Sequence, residues 1–144
     1  MSQDNKALSR RWFEEVWNNR RRQAITELSH PNATTYGLAE GATAVGIEQF
    51  IPFYERFLAT FPDMHIKVED VIAEGDKTAV RLTATGTHTG DAMGLSPTNK
   101  RVNFSGIILI RWKDGKIIEA WNEFDAWGMM QQLAGPAPMR LKIQ

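Results

Sequence analysis

The chain of 144 residues has the length of one ordinary domain, and its 17 basic and 17 acidic side chains leave no net charge. This balance gives no indication of binding to nucleic acid or to an anionic membrane. The lack of cysteine excludes disulfides, thiol catalysis and cysteine-ligated metals, and it suits a cytoplasmic protein. The polar N-terminus has no signal-peptide core, and no run approaches the ~20 apolar residues of a membrane span.

The first part of the chain is predicted to be helical. Apolar residues recur at helical spacing through residues 5–19. A shorter helix ends at His30-Pro31, because the residue before a proline avoids helical geometry. Residues 32–37 have the pattern of a short strand.

A strong amphipathic helix is predicted over residues 46–61, where apolar and aromatic residues form one wide stripe. Pro52 lies inside it, and a proline both lacks a hydrogen-bond donor and clashes with the preceding turn. We therefore expect a kink or a late start, and an end at Pro62-Asp63.

The remaining elements are mostly strands. Residues 64–74 and 77–88 flank the turn Gly75-Asp76 and form a predicted hairpin. The following segment, residues 89–99, contains Gly, Pro and Ser and has the composition of a loop.

A second hairpin is predicted at residues 101–113 and 116–125, around the turn Asp114-Gly115. Residues 126–134 then predict a short terminal helix, which the glycine and prolines after it stop. Helices followed by an antiparallel meander predict an α+β domain, with helices packed on one face of a curved sheet. Such a sheet forms a cone that can hold a ligand at its open end.

The turn Asp114-Gly115 also predicts the register of the second hairpin. With two residues in the turn, Lys113 pairs with Lys116, and directly opposed residues share a face of the sheet. The apolar face then holds five residues of the last strand: Ile117, Glu119, Trp121, Glu123 and Asp125. A bulge near Gly106 would shift this register by one residue and reverse the faces at the far end.

Three carboxylates on an apolar face need an explanation. Desolvation raises the pKa of a carboxyl group on an apolar wall, which makes it a better base near neutral pH. For Glu119, an ion pair with a basic residue is favoured over catalysis, and Glu123 has no assigned role. Asp125 fits two roles equally, a catalytic base or the N-cap of the helix that starts at Ala126.

Two roles are also possible for each of several other residues. His88 continues the apolar row of its strand, so it either contacts a substrate or Asp125 at the mouth of the cavity, or anchors the following loop. Tyr36 and Tyr54 offer a hydroxyl to a carbonyl, or they pack in the core with one hydrogen bond. Trp121 is either core or a platform for a ligand.

The three histidines lie far apart without the spacing of metal ligands, so no metal is expected. The sequence has no glycine-rich phosphate loop and no GxSxG elbow. The remaining possibilities are cofactor-free acid–base chemistry in an apolar pocket, or ligand binding alone.

Several short motifs resemble a known family, the SnoaL-like polyketide cyclases of the nuclear-transport-factor-two-like superfamily. The likeness covers residues 5–135. The best-matching pieces are Gly86-Thr87-His88-Thr89-Gly90, Pro97-Thr98, and the ending with Glu119, Trp121, Asp125 and Gln132-Leu133.

The resemblance implies a cone-shaped α+β barrel, a homodimer, and a cofactor-free intramolecular aldol condensation of a hydrophobic polyketide-type substrate. Asp125 occupies the Trp-x-x-x-Asp position of the family's acid/base, which favours base over cap. Two departures are Asn99, where many members have Gly, and Tyr36, where many have His. The predicted site comprises catalytic Asp125 and His88, with substrate-binding Trp17, Tyr36, Tyr54, Phe104, Ile108 and Trp121.

Two alternatives stay open. One is another enzyme on the same fold, an isomerase or an epoxide hydrolase, of which the latter uses an arginine between two acids. The predicted positions of Arg111 and Arg81, both off the apolar face with Asp125, count against an epoxide hydrolase. The other alternative is a non-catalytic ligand-binding domain, which a cavity filled by side chains would favour.

Overall fold

The computed structural model describes residues 2–38, 41–91 and 94–134. The predicted C-terminal tail, residues 136–144, lies outside these residues, as does part of the loop at 89–99. Among the described helices, none combines the length and the apolar character needed to cross a membrane.

The chain begins with helices and continues mainly with strands, as predicted. The helices are α1 (Ser2–Arg11), a π-helical segment (Trp12–Asn18), α2 (Gln23–Leu28), α3 (Ile47–Thr60) and α4 (Ala126–Ala134). The strands are β1 (Ser29–Tyr36), β2 (Ala44–Val45), β3 (His65–Glu74), β4 (Lys77–Thr87), β5 (Arg101–Lys113) and β6 (Lys116–Phe124).

The six strands form one curved, open sheet in the order β2-β1-β6-β5-β4-β3. Strands β3 to β6 are the predicted antiparallel meander, whereas β1 runs parallel to β6. Alternate residues of β4 and β5 are buried under the helices, so each strand has an inner apolar face and an outer face. The predicted α+β fold is confirmed.

The predicted helix over residues 5–19 is α-helical only as far as Arg11 and then becomes π-helical. The backbone hydrogen bonds of a π-helix join residues five apart, so Trp12 and Trp17 lie about one turn from each other on neighbouring sides. Both indoles are buried, and both face the interior between helices and sheet.

Helix α3 begins at Ile47 and continues through Pro52, so the late start considered for this helix is wrong. Pro52 is exposed, and so is Glu48, the residue whose carbonyl would have accepted the missing hydrogen bond. The proline therefore lies on the solvent side, where water can solvate the free carbonyl.

The β5–β6 hairpin differs from the predicted register. Asp114 (φ 51°) and Gly115 (φ 78°) form the expected two-residue turn, and Lys113 pairs with Lys116. Trp112 pairs with Ile117 as well. A bulge then leaves Ile118 without a partner, so that Arg111 pairs with Glu119. From this point every side chain of β6 lies on the face opposite to the predicted one.

Candidate active site

Helices and sheet enclose a cavity of about 410 Å³ whose lining is mainly apolar. Its wall extends to the end where β6 passes into α4, because Phe124, Ala126 and Met129 belong to the lining. Its size and apolar walls with few polar groups are those of a small-molecule site. The inner faces of β4, β5 and β6 supply Leu82, Ala84, Phe104, Ile108, Ile110, Ile117 and Ala120.

An aromatic wall covers the helical side of the cavity. Trp17 meets Phe50, Phe53 and Phe57 of α3 edge-on, with ring centroids 6.3, 6.5 and 5.7 Å apart. Edge-to-face pairs of this kind are favourable and hold the rings in defined positions. A flat apolar ligand would therefore find a preformed surface.

The opposite wall, along the parallel pair β1 and β6, carries polar side chains. Ser29, Thr35 and Asn122 line the cavity there, and we call these three residues the polar seam. The Asn122 side chain donates from Nδ2 to the carbonyl oxygen of Tyr36 at 2.8 Å. A two-residue turn without a bulge predicts the outer face for Asn122, and the bulge at Ile118 turns it inward.

Asp125 is next to this cavity along the chain but is not among the described residues that line it. Its carboxylate Oδ1 accepts a hydrogen bond from the backbone N–H of Gly128 at 2.9 Å, which makes Asp125 the N-cap of α4. The side chain is exposed, while its neighbours Phe124 and Ala126 line the cavity. The predicted position on an apolar inner wall is therefore wrong, and the alternative N-cap contact is present.

The other two carboxylates of β6 lie on the outer face. Arg111 donates from Nε to Glu119 Oε1 at 2.9 Å, so Glu119 is an ion partner as favoured, although the cation comes from the neighbouring strand. Glu123 pairs with Ile107 and is exposed, although it also belongs to the residues that line the cavity near Phe124. Their predicted inward direction is wrong because the bulge reverses the faces.

Trp121 and Tyr36 are also on the outer face, contrary to their predicted place in the cavity. Trp121 pairs with Leu109, and the rings of Tyr36 and Trp121 are stacked with centroids 5.7 Å apart and planes 19° apart. The Tyr36 hydroxyl donates to Glu119 at 3.4 Å. The bulge in β6 turns Trp121 to the outer face. Tyr36 pairs with Trp121, and it points outward because its neighbour Thr35 points inward.

His88 is buried, and its contacts fit the alternative of a loop anchor. Its Nδ1 lies 3.1 Å from the Thr98 hydroxyl and 3.3 Å from the Thr98 backbone nitrogen, and its ring packs on Phe61. The ring therefore joins two of the motifs that carry the family resemblance. Asn99 has φ 58°, the left-handed geometry that Asn tolerates in place of Gly.

Tyr54 is buried beside Trp17 and donates its hydroxyl to the carbonyl oxygen of Val16 at 2.8 Å. Burial raises the pKa of Tyr54 above its ordinary value. It fits the alternative of core packing with one hydrogen bond, and it supports the aromatic wall from behind.

The structure thus brings Trp17, Phe104 and Ile108 together around the cavity, while Asp125 lies outside the lining between its neighbours Phe124 and Ala126. Neither arginine considered for an epoxide hydrolase reaches Asp125, since Arg111 binds Glu119 and Arg81 binds Asp70. The adjacent pair Ile117-Ile118 was the available sign of the bulge, because two consecutive apolar residues interrupt the alternation of β6.

A sequence model of the family described as SnoaL-like polyketide cyclase matches residues 7–133. The nogalonic acid methyl ester cyclase of Streptomyces nogalater is 28% identical over 125 residues, 85% of this chain and 92% of that protein. The aklanonic acid methyl ester cyclase AcmA of Streptomyces galilaeus is 28% identical over 126 residues, 86% of this chain and 87% of that protein.

Solved structures are also similar. A protein from Jannaschia sp. CCS1, described as a SnoaL-like polyketide cyclase, aligns with a TM-score of 0.86 and 27% identity over 94% of this chain and 95% of that one. AclR from Streptomyces galilaeus, described as a hydroxylase, aligns with a TM-score of 0.82 and 29% identity over 99% and 87%. The fold therefore occurs with more than one described activity.

Proposed function

The chain belongs to the SnoaL-like polyketide cyclase family, and on this basis we propose that it closes a ring of a polyketide-type substrate by intramolecular aldol condensation. Asp125 is the acid/base, and no cofactor takes part. The single observation that supports this proposal is the apolar cavity whose wall includes Phe124 and Ala126, the two chain neighbours of Asp125. A non-catalytic domain with a cone filled by side chains would have no such space.

The reaction needs one proton carrier. The Asp125 carboxylate takes a proton from a carbon that neighbouring carbonyls acidify, and the resulting enolate attacks a second carbonyl of the same molecule. The protonated Asp125 then gives its proton to the new alkoxide. No atom is gained or lost, and no electron acceptor is required.

The geometry around Asp125 supports this role. The N–H of Gly128 holds Oδ1, and Oδ2 has no hydrogen-bond partner among the described residues. The carboxylate is thus fixed through one oxygen and available through the other, next to the cavity wall. The aromatic wall keeps a planar substrate in one orientation, which favours ring closure over other encounters.

The proposal extends to assembly and location. The family resemblance implies a homodimer, and the outer face of the sheet offers apolar surface to a second copy through Ile107 and Leu109, which are 53% and 37% exposed. The proposed compartment is the cytoplasm, as the cysteine-free sequence suggested. The substrates printed in the names of the two relatives are the trial substrates for this chain.

Turnover of nogalonic acid methyl ester, followed by liquid chromatography and mass spectrometry, tests the proposal. We expect a cyclised product with unchanged mass and a loss of at least about 100-fold in kcat for Asp125→Asn. Asn remains an N-cap residue, so the melting temperature should stay close to that of the wild type.

Asp114→Asn, in the distant hairpin turn, is the matched control and should keep full turnover. Undiminished turnover by Asp125→Asn would contradict the assigned role. A product heavier by one oxygen atom would instead point to the hydroxylase activity described for AclR.

A further inference from the structure

The polar seam stands out because the rest of the described cavity lining is mainly apolar. Ser29 and Thr35 lie on the inner face of β1, and Asn122 lies on the inner face of β6, near Thr35. Thr35 pairs with Ala120, two residues before Asn122, so Thr35 and Asn122 are separated by roughly 7 Å along the strand. Thr35 and Asn122 therefore form one polar patch, and Ser29, which pairs with Ile117, is a separate polar group roughly 15 Å further along the same wall.

The orientation of the Asn122 amide is determined by its neighbour. The group 2.8 Å from the Asn122 side chain is the carbonyl oxygen of Tyr36, which only accepts hydrogen bonds, so Nδ2 must be the atom that faces it. Oδ1 is then the end left for another partner, and it has none among the described residues. An amide oxygen accepts hydrogen bonds and cannot donate them.

The hydroxyls of Ser29 and Thr35 also have no partner among the described residues. Within those residues, no fully buried side-chain oxygen or nitrogen is left without a hydrogen bond. Ser29 is only 5% exposed and lines the cavity, so the open space that its hydroxyl meets is the cavity. These hydroxyls can turn to accept or to donate, whereas Asn122 has a fixed role.

We propose that the polar seam binds the hydroxyl-bearing edge of a flat polyketide substrate, with Asn122 Oδ1 accepting the proton of a phenolic or enolic hydroxyl. The aromatic wall around Trp17 then contacts the face of the same molecule. This assignment rests on the proposed function only in taking the cavity as the substrate site. It defines the substrate class, because a substrate whose hydroxyl is methylated has no proton to offer Asn122.

The distance between Asn122 of the polar seam and the proposed acid/base Asp125 predicts the length of the substrate. Asp125 follows Asn122 by three residues, which corresponds to roughly 10 Å of extended chain. A substrate that donates to Asn122 and reacts beside Asp125 is therefore elongated, with its hydroxylated edge and its reacting carbon at different ends.

Binding without turnover tests the assignment. The probes are 2-hydroxyanthraquinone, which has the proton, with 2-methoxyanthraquinone and anthraquinone, which lack it. Quenching of tryptophan fluorescence reports binding, because Trp12 and Trp17 line the cavity. We expect the wild type to bind the hydroxylated probe about tenfold more tightly than either of the others.

Asn122→Leu should abolish this preference, and Thr35→Val should reduce it. Thr34→Val removes a neighbouring hydroxyl from the outer side of the same strand and should retain the full preference. No preference in the wild type, or an undiminished preference in Asn122→Leu, would overturn the assignment. If Asn122→Leu does not fold because its bond to Tyr36 is lost, the wild type and the threonine pair decide.

The outcome is separate from the test of the reaction. Asp125→Asn should keep the preference for the hydroxylated probe even where it has lost turnover. A loss of preference in that variant would show that the probe does not report the seam, and it would overturn the assignment as well.

Discussion

Among the described residues, Gly128 is the hydrogen-bond partner of the Asp125 carboxylate. The backbone N–H of Gly128 holds Oδ1, and a Cβ atom at position 128 would lie 2.2 Å from Oδ2 and 2.8 Å from Cγ. Glycine inside a helix normally costs about 0.5–1 kcal/mol relative to alanine. Here that cost allows the carboxylate to fold over the first turn of α4.

Gly128→Ala should therefore displace the Asp125 carboxylate and destabilise the protein despite the better helix propensity of alanine. In an Asp125→Ala background the same change should be neutral or stabilising by up to about 1 kcal/mol, because the carboxylate is absent. Chemical denaturation of the four proteins of this double-mutant cycle measures the coupling. Equal effects of Gly128→Ala in both backgrounds would contradict the contact.

At the scale of elements, the structure shows what the pattern of residues can and cannot predict. Hydrophobic spacing and the Asp114-Gly115 turn were sufficient for the helices, the meander and the α+β fold, because each is a local signal repeated over many residues. The face of β6 was not predictable in the same way. A single extra residue, Ile118, reverses the direction of every side chain after it. Strict alternation along the sequence cannot indicate where such a residue lies.

The residues of the candidate site also differ in how far local patterns could predict them. Trp17, Phe104 and Ile108 were predicted to line it, and they do, because their positions depend on stripes that no bulge interrupts. Trp121 and Tyr36 were misplaced, and Asn122 was missed, because all three depend on β6 and its neighbour. The parallel pairing of β1 with β6 joins segments far apart in the chain, which the local pattern did not indicate.

The connection between α3 and β3 is fastened by Asp63. Its carboxylate accepts hydrogen bonds from the Thr87 backbone N–H at 2.6 Å and from the Thr87 hydroxyl at 2.8 Å, next to His88. Burial raises the pKa of Asp63, but the two hydrogen bonds from Thr87, together with a hydrogen bond from its own backbone and the charge of Arg101, leave the pKa below its ordinary value.

A lowered pKa in the folded state means that the ionised Asp63 stabilises the fold at neutral pH. This contribution is present above the unfolded pKa of about 3.9, and it is lost as the pH falls through the lower folded value. Asp63→Asn should therefore be less stable than the wild type at pH 7, and the difference should shrink below about pH 4. Urea denaturation between pH 7 and pH 3 measures it, with Asp76→Asn as the exposed control. A difference that is constant across this range would contradict the role of Asp63.

In the whole molecule, the sheet has an inner face that lines the cavity and an outer face that carries exposed apolar residues. The inner face forms the cavity, and the outer face carries Ile107 and Leu109 beside the stacked pair of Tyr36 and Trp121. Exposed apolar residues that cluster on one face are typical of an interface. The bulge at Ile118 contributes to both surfaces, since it places Asn122 inside and Trp121 outside.

Leu109→Glu should dissociate the proposed homodimer, because a charge at the centre of an apolar contact is costly to bury. The monomer should keep its fold, since Leu109 points away from the core. Sedimentation velocity at micromolar concentration measures the change. Val45→Glu, on the edge strand β2, is the control and should remain dimeric. A monomeric wild type, or a dimeric Leu109→Glu variant, would rule out this interface.

The central proposal is that Asp125 removes a proton from a carbon of the substrate bound in the neighbouring cavity. The most direct measurement uses an analogue of the trial substrate in which the carbonyl that accepts the enolate is replaced by a methylene, so that proton removal occurs without ring closure. In deuterated water, the wild type and Asp114→Asn should exchange the acidic carbon-bound hydrogen faster than buffer alone. Asp125→Asn should lose at least about 100-fold of this rate. Exchange by Asp125→Asn at the wild-type rate would contradict the claim.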